Sequence, residues 1–291
     1  MPVGGINVRR GGRWPALPND RGGQMSDSIA FDRAVDYYDA TRGFEPEQER
    51  VVIDALATAL GQLDGRVLEI GIGTGRIAIP LQQHGYHYYG VDLSMPMMRR
   101  LRENVAMRSK HIFPLAQGDI TRLPYNEGAF AAIVAVHVFH LVPRWHEALA
   151  ECRRVLRAGG ILLHAGSRTA QVEGAVSRIP QKWRELLQAA GYADRSIGSR
   201  RIAPQINEAL TQLGASAVDT QVALSWAHPR TPRQAYERLA SRQWSGTWAV
   251  PDDLFARTMS QLYDWIIQEY GDRLDTPEQD GQEFFITRAV F

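Results

Sequence analysis

From Arg66 onward, short apolar runs alternate with amphipathic stretches. Arg66–Ile70, His87–Val91, Ile112–Ala116, Phe130–Val136 and Ile161–Ala165 read as strands. They are nearly continuous apolar runs, the pattern of strands buried on both faces. Between them, Gly75–Gln83 reads as a helix stopped by Gly85. A second helix is capped by Ser94 and carries Met98, Leu101 and Val105 on one face. A third places Trp145, Leu149, Cys152 and Leu156 on one stripe and ends at Gly159–Gly160. Strand–helix alternation predicts an α/β fold with a parallel sheet covered by helices on both faces. The C-terminal half has a different rhythm. Gln181–Ala190, Ile202–Leu213, Pro232–Ala240 and Asp252–Tyr270 read as helices, and Val218–Ala227 and Glu283–Phe291 as strands. Helical insertions therefore interrupt a sheet that is completed late in the chain.

Residues 1–24 lack apolar periodicity and hold six glycines, three prolines and four arginines. They read as a flexible extension, with patterned sequence beginning just after Met25. The rest, 25–291, reads as one domain: a core at 25–166, then helical inserts and closing strands at 167–291. Composition mainly excludes. The formal charge is +1, which gives no general reason to bind nucleic acid or an anionic membrane surface. A 44% apolar content is too high for a disordered chain, and no apolar run approaches a membrane span. The single cysteine, Cys152, forms no internal disulfide and belongs to no metal-binding cluster. It reads as core packing in a reducing, cytoplasmic compartment, and no metal is expected.

The chemistry concentrates in Glu69-Ile-Gly71-Ile-Gly73-Thr-Gly75, which follows one predicted strand and opens a predicted helix. Glycines let the backbone turn sharply and approach a ligand, and the helix start behind them offers unpaired N–H groups. The spacing is G-x-G-x-G rather than the G-x-G-x-x-G of dinucleotide folds. Glu69 would repel a pyrophosphate but suits a cationic amine. Asp92 ends the next strand, where an acid can accept from ribose hydroxyls, and Asp119 follows the third. Three acids at adjacent strand ends, without a phosphate-binding lysine, point to a nucleoside with a cationic tail.

At these residues the chain resembles a family. VLEIGIGTGRIAIPL, YYGVDLS, AQGDITRLPYNEGAFAAIVAVHVFHLV and ALAECRRVLRAGGILLHAG are similar to the successive motifs of class I S-adenosylmethionine-dependent methyltransferases. The small-molecule (type 11-like) branch is the nearest. The resemblance covers about residues 31–166 and agrees at four separate points in order and spacing. It implies a Rossmann-like, doubly wound, mostly parallel seven-stranded sheet with an antiparallel last strand. It also implies S-adenosyl-L-methionine as cofactor. Gly71, Gly73, Thr74 and Gly75 would wrap its methionine part, with Glu69 near the amino group. Asp92 would hold the ribose, Leu93 and Met97 would flank the adenine, and Asp119 would accept from its amine beside Ile120. Val136 and His137 would border the reactive methyl. The segment Asp36-Tyr-Tyr-Asp-Ala-Thr-Arg42-Gly43 resembles the branch's N-terminal lid, with Tyr38 and Arg42 closing over the cofactor and Tyr37 towards the substrate.

The implied function is SN2 methyl transfer to an O, N, S or C nucleophile of a small molecule. Because a sulfonium already leaves well, the protein's main tasks are in-line positioning and water exclusion. His140 and His137 are the candidates for a general base, which only a high-pKa nucleophile needs. The pair is equally at home as polar residues rimming a strand end. Trp244 and Trp248 fall in a stretch between helices that packing alone explains poorly, and are candidates to line the substrate pocket with His140. Arg99, Arg100 and Arg102 read as the solvated face of a helix. The alternative is a cofactor-binding protein that has lost catalysis and acts as a regulator or partner. The glycine spacing and Glu69 count against a nicotinamide-dependent enzyme. A nucleic-acid methyltransferase is disfavoured by charge and by the absence of an Asn/Asp-Pro-Pro-aromatic motif after the fourth strand. The sequence leaves the acceptor and the oligomeric state open.

Overall fold

A computed structural model describes residues 28–39, 43–108, 114–170, 174–192 and 199–291. The N-terminal extension, Arg42 and residues 112 and 113 lie outside the described residues. The sheet comprises β1 (Arg66–Ile70), β2 (His87–Asp92), β3 (Leu115–Gln117), β4 (Phe130–Val136), β5 (Leu156–Thr169), β6 (Ala217–Arg230) and β7 (Glu278–Val290). Its order is β3-β2-β1-β4-β5-β7-β6. Strands β1 to β5 pair in parallel, and β7 runs antiparallel between β5 and β6. This is the expected doubly wound sheet with a reversed last strand. The winding reverses between β1 and β4, and in such sheets the crevice beyond the strands' carboxyl ends at the reversal is where ligands bind.

Helices α1 (Pro46–Leu60), α2 (Ala78–Gln83) and α3 (Met95–Arg108) cover one face. Their apolar stripes, including Leu56, Leu81 and Leu101, meet Val67, Val134 and Leu163 of the sheet. On the other face, α4 (Trp145–Val155) and α6 (Ser199–Gln212) bury Leu149, Cys152, Ile202 and Ile206 against Leu68, Ile133 and Leu162. Cys152 is fully buried, and desolvation raises its thiol pKa, so it is a packing residue. Arg99 and Arg102 are solvent-exposed as expected, while Arg100 pairs with Glu103 at 3.1 Å.

A third apolar cluster belongs to the insertions alone. Helices α5 (Ala175–Ala189), α7 (Pro232–Ala240) and α9 (Asp252–Tyr270) pack Trp183, Leu239, Phe255, Leu262 and Ile266 together. The short helix α8 (Ser245–Trp248) lies between α7 and α9. Trp183 donates to Thr258 at 3.0 Å inside this cluster, so its indole N–H is satisfied on burial. The insertions thus form a helical cap with a core of its own.

Several boundaries differ from the sequence expectation: α5 starts at Ala175 rather than Gln181, and Leu156 opens β5 rather than ending the α4 stripe. Helix α2 begins at Ala78 rather than Gly75, because Gly71 to Gly75 form an irregular loop with φ of 65°, 56° and 81° at the three glycines. Strand β3 is Leu115–Gln117, paired with Gly90, Val91 and Asp92 of β2. Strands β5 and β7 outrun their apolar cores because long antiparallel pairing carries them past it, to Thr169 and back to Glu278. Helix α1, for which the sequence reading has no element, starts at Pro46 behind a Glu45/Gln48 capping box.

Candidate functional site

The site is built on the carboxyl ends of β1, β2 and β4. The chain leaves β1 through Gly71, whose added Cβ would come within 2.5 Å of Val138 Cγ2. With its φ of 65°, no other residue fits there without strain. A Cβ on Gly75 would meet Leu101 at 2.9 Å, so this glycine lets the loop close onto α3. Gly73 is different: a Cβ there would have only Gly71 O within 4 Å, at 3.9 Å. The crest of the loop therefore faces open space. This is the cradle that a ligand's carboxylate or amine would fill.

Asp92 ties that loop to the next one. Its Oδ2 accepts from Gly73 N at 2.7 Å and its Oδ1 from Ser94 N at 2.8 Å. Burial raises the pKa of its carboxyl, and these backbone donors oppose the rise. Ser94 Oγ caps α3 at Met97 N, 3.2 Å away, as the sequence indicates. Glu69 sits beneath the loop, 3% exposed, and accepts from Tyr88 Oη at 2.7 Å. Its pKa is pushed up to about 8, first by burial and further by Asp92, against the pull of Tyr88 and Arg76. Glu69 therefore holds its proton to higher pH than an ordinary carboxyl does. The guanidinium of Arg76 lies 4.8 Å from the ring centre of Phe44, and its buried Nη1 has no hydrogen-bond partner among the described residues.

Asp119 follows β3. Its Oδ1 accepts from Thr121 N and Oγ1, both at 2.9 Å, and its Oδ2 from Ser28 Oγ at 3.4 Å. Leu93 is half-buried between the acids. Met97 and Ile120 are 1% and 6% exposed, so they support the crevice from the interior. Val136 ends β4 at 8% exposure. His137 follows with a φ of 57°, in the left-handed region that non-glycine residues avoid. Such strain persists only where surrounding contacts impose it. Here Ser167 N donates to His137 Nε2 at 3.3 Å, and His137 N donates to Ala165 O at 2.9 Å. Ser167 Oγ also lies 3.5 Å from Nε2, so both groups of Ser167 face this ring nitrogen. His140 lies one short turn on, in Phe139–Leu141, half-buried.

Segment 28–39 reaches all three motif loops. Ser28 bonds Asp119, Asp32 accepts from Ser94 Oγ at 2.6 Å, and Asp39 accepts from Thr74 Oγ1 at 2.6 Å and from Asn104 Nδ2 at 3.3 Å. Tyr37 and Tyr38 are both half-buried in this segment, and Tyr38 meets Phe31 edge-on at 5.8 Å. Phe31 in turn meets Trp248 at 4.9 Å, and Arg33 lies 5.2 Å from the Trp248 ring centre. Trp244 faces the other way, in the cap's apolar cluster, with Arg238 at 5.4 Å. The two tryptophans grouped by sequence thus part company: Trp248 touches the lid segment and Trp244 the cap. Sequence reasoning missed Asp32, Asp39, Tyr88, Arg76 and Phe31. Asp39 stands inside the flagged lid segment and Tyr88 inside the second strand, but neither shows its partner without the fold.

Residues 68–164 match the family described as a methyltransferase domain. Over 124 residues the chain is 36% identical to a phosphatidylethanolamine N-methyltransferase of Cereibacter sphaeroides, an overlap of 42% of this chain and 59% of that protein. Over 140 residues it is 32% identical to a malonyl-[acyl-carrier protein] O-methyltransferase of Geobacter sulfurreducens, covering 47% of this chain and 51% of that one. The chain spans about half to three fifths of the length of these curated relatives. Among solved structures, Haemonchus contortus phosphoethanolamine N-methyltransferase 2, bound to phosphomonomethylethanolamine and S-adenosylhomocysteine, superposes with a TM-score of 0.52 at 17% identity. That match covers 89% of this chain and 57% of that one. Residues 68–164 thus match a methyltransferase domain, and the sheet they belong to has the doubly wound order of a Rossmann-like fold.

Proposed function

We propose that the protein transfers a methyl group from S-adenosyl-L-methionine to an O, N, S or C nucleophile of a small molecule by in-line displacement. One observation carries this reading most. The acids Glu69, Asp92 and Asp119 stand at three neighbouring strand ends, around a glycine crest that faces open space. When bound, the cofactor would supply an activated methyl on a sulfonium. The chain's own residues would do the rest. Gly71, Gly73, Thr74 and Gly75 shape the pocket for its amino-acid part, and Glu69 takes the ammonium. Asp92 offers acceptor lone pairs to the ribose hydroxyls, with Leu93 and Met97 behind the adenine and Asp119 and Ile120 at its far edge. Val136 and His137 border the transfer point.

Tyr37 and Tyr38 belong to segment 28–39, which bonds to the motif loops and would cover the crevice. Excluding water there strengthens every electrostatic contact with the cofactor. His140 is the base candidate for acceptors whose nucleophile holds its proton at neutral pH. Incubating the purified protein with S-adenosylmethionine and fractionated metabolite pools should yield one methylated species by mass. Pools that stay unmethylated, from protein that binds the cofactor, would contradict the catalytic reading.

A further inference from the structure

Beyond the cofactor crevice, a cavity of about 410 Å3 opens on the α6 side of the sheet, where β5, β7 and β6 run side by side. Its floor is Phe285 and Thr287, each 1% exposed, and its wall is Ala203, Pro204 and Asn207 of α6. The register explains what shares that face: Arg168 pairs with Glu283, Gly166 with Phe285 and Thr287 with Thr220. The cavity borders the rim of the cofactor site through one position. A Cβ on Gly166 would lie 3.2 Å from His137 Nδ1 and 3.7 Å from Phe285 Cε1. Gly166 is therefore a close neighbour of both Phe285, which lines the cavity, and His137 at the crevice rim.

The lining is charge-balanced. Arg168 Nε donates to Glu283 Oε2 at 3.0 Å, with 32% and 26% of the two side chains exposed, and the guanidinium lies 5.3 Å from the Phe285 ring centre. Arg168 uses one of its five N–H groups in this bond, and its terminal nitrogens make no hydrogen bond among the described residues. Glu283 keeps an oxygen unused in the same way. Asn207 Nδ2 donates to Thr220 Oγ1 at 3.1 Å, and Thr220 and Thr287 share a 2.7 Å hydroxyl bond, which adds a neutral polar edge. A ligand with a single charge would leave one partner of the pair competing with it. A ligand with both charges extends the pair into a four-centre arrangement, carboxylate to guanidinium and ammonium to carboxylate, that leaves no excess charge in a half-buried place.

We propose that this cavity binds a zwitterionic, amino-acid-like molecule, with its carboxylate on Arg168, its ammonium on Glu283 and its apolar body on Phe285, Ala203 and Pro204. Its identification as the methyl acceptor rests on the function proposed above, whereas the binding itself does not. The test titrates the full chain, by calorimetry or ligand-observed resonance, with α-amino acids and with the matching deaminated acids and decarboxylated amines. S-adenosylhomocysteine is titrated separately. The expected result is a zwitterion that binds at least tenfold tighter than both of its singly charged analogues. R168Q should then lose its preference over the amine and E283Q its preference over the acid, with Arg168→Lys restoring part of the affinity. Two variants that lose opposite preferences separate recognition from unfolding, and S-adenosylhomocysteine affinity should stay within twofold in both. Equal binding of an acid or an amine overturns the proposal, as does failure of every amino acid to bind the unaltered protein. A zwitterion that binds but gains no methyl group from S-adenosylmethionine overturns its role as acceptor. Failure of S-adenosylhomocysteine to bind overturns the proposed function and leaves the cavity assay readable.

Discussion

Two buried side chains set how single residues respond to pH. Glu69 has its pKa pushed up to about 8 by burial, whereas an unfolded chain ionises it near 4.5. Between those values the folded state holds the extra proton, so stability falls as pH rises through that window. E69Q should flatten that fall in thermal melts recorded from pH 5 to 8, and a melt profile unchanged from the parent would remove Glu69 as the cause. Cofactor binding should also release a proton near neutral pH, read as a dependence of binding heat on buffer ionisation enthalpy. His164 acts at the acid end. It is 4% exposed and lies edge-on to Phe139 and Phe285 at 5.3 Å each. Burial, with His140 nearby, holds its pKa down to about 3. The unfolded chain takes up a proton near 6.5 that the folded one refuses, so stability is lost as pH falls below that value. H164F, which keeps the ring and removes the proton site, should raise the melting temperature at pH 5 more than at pH 8. Neither role shows in the sequence: Glu69 was legible as an acid near a cation, but its burial beneath Tyr88 is a property of the packed sheet, and His164 looks like any residue of an apolar run.

At the scale of elements, strands were the most legible because parallel strands buried on both faces carry unbroken apolar runs. Helix α1 was legible in principle, since Val52, Ile53, Leu56 and Leu60 lie on one stripe behind Pro46, but no motif drew attention to it. The loop over Gly71 to Gly75 hides its irregularity, because the same residues would pass for a helix start. The cap has an apolar cluster of its own, and its helix-start signals can be tested. Thr231 caps α7, accepting from Gln234 N at 3.1 Å while Gln234 Oε1 takes Thr231 N at 3.1 Å. T231A should cost about 1 kcal/mol, visible as a shift in denaturant midpoint at unchanged slope. The two tryptophans should now behave differently. W248A removes the ring that Phe31 and Arg33 rest on, so it should speed cofactor release from the covered crevice in stopped-flow dissociation. W244A, whose ring sits in the cap, should leave that rate alone. Equal rates in the two variants would separate the lid segment from cofactor retention.

Across the whole molecule, three apolar clusters divide the work: one on each face of the sheet and one holding the cap together. The net charge of +1 conceals the distribution that matters, with acids gathered at the strand ends and an arginine–glutamate pair beside the second cavity. Segment 28–39 bonds to each motif loop and, through Phe31, touches the cap at Trp248, so cofactor crevice and insertions meet at one strip of chain. This joint was beyond sequence reading, because its partners are more than two hundred residues apart. The most direct test of the account is a calorimetric titration of S-adenosylhomocysteine into the full chain and into its D92A variant. The expected result is one site in the parent and an affinity at least tenfold weaker in D92A, since Asp92 is proposed to hold the ribose and also fixes Gly73 and Ser94. No binding to the parent, or equal dissociation constants for the two proteins, would contradict it.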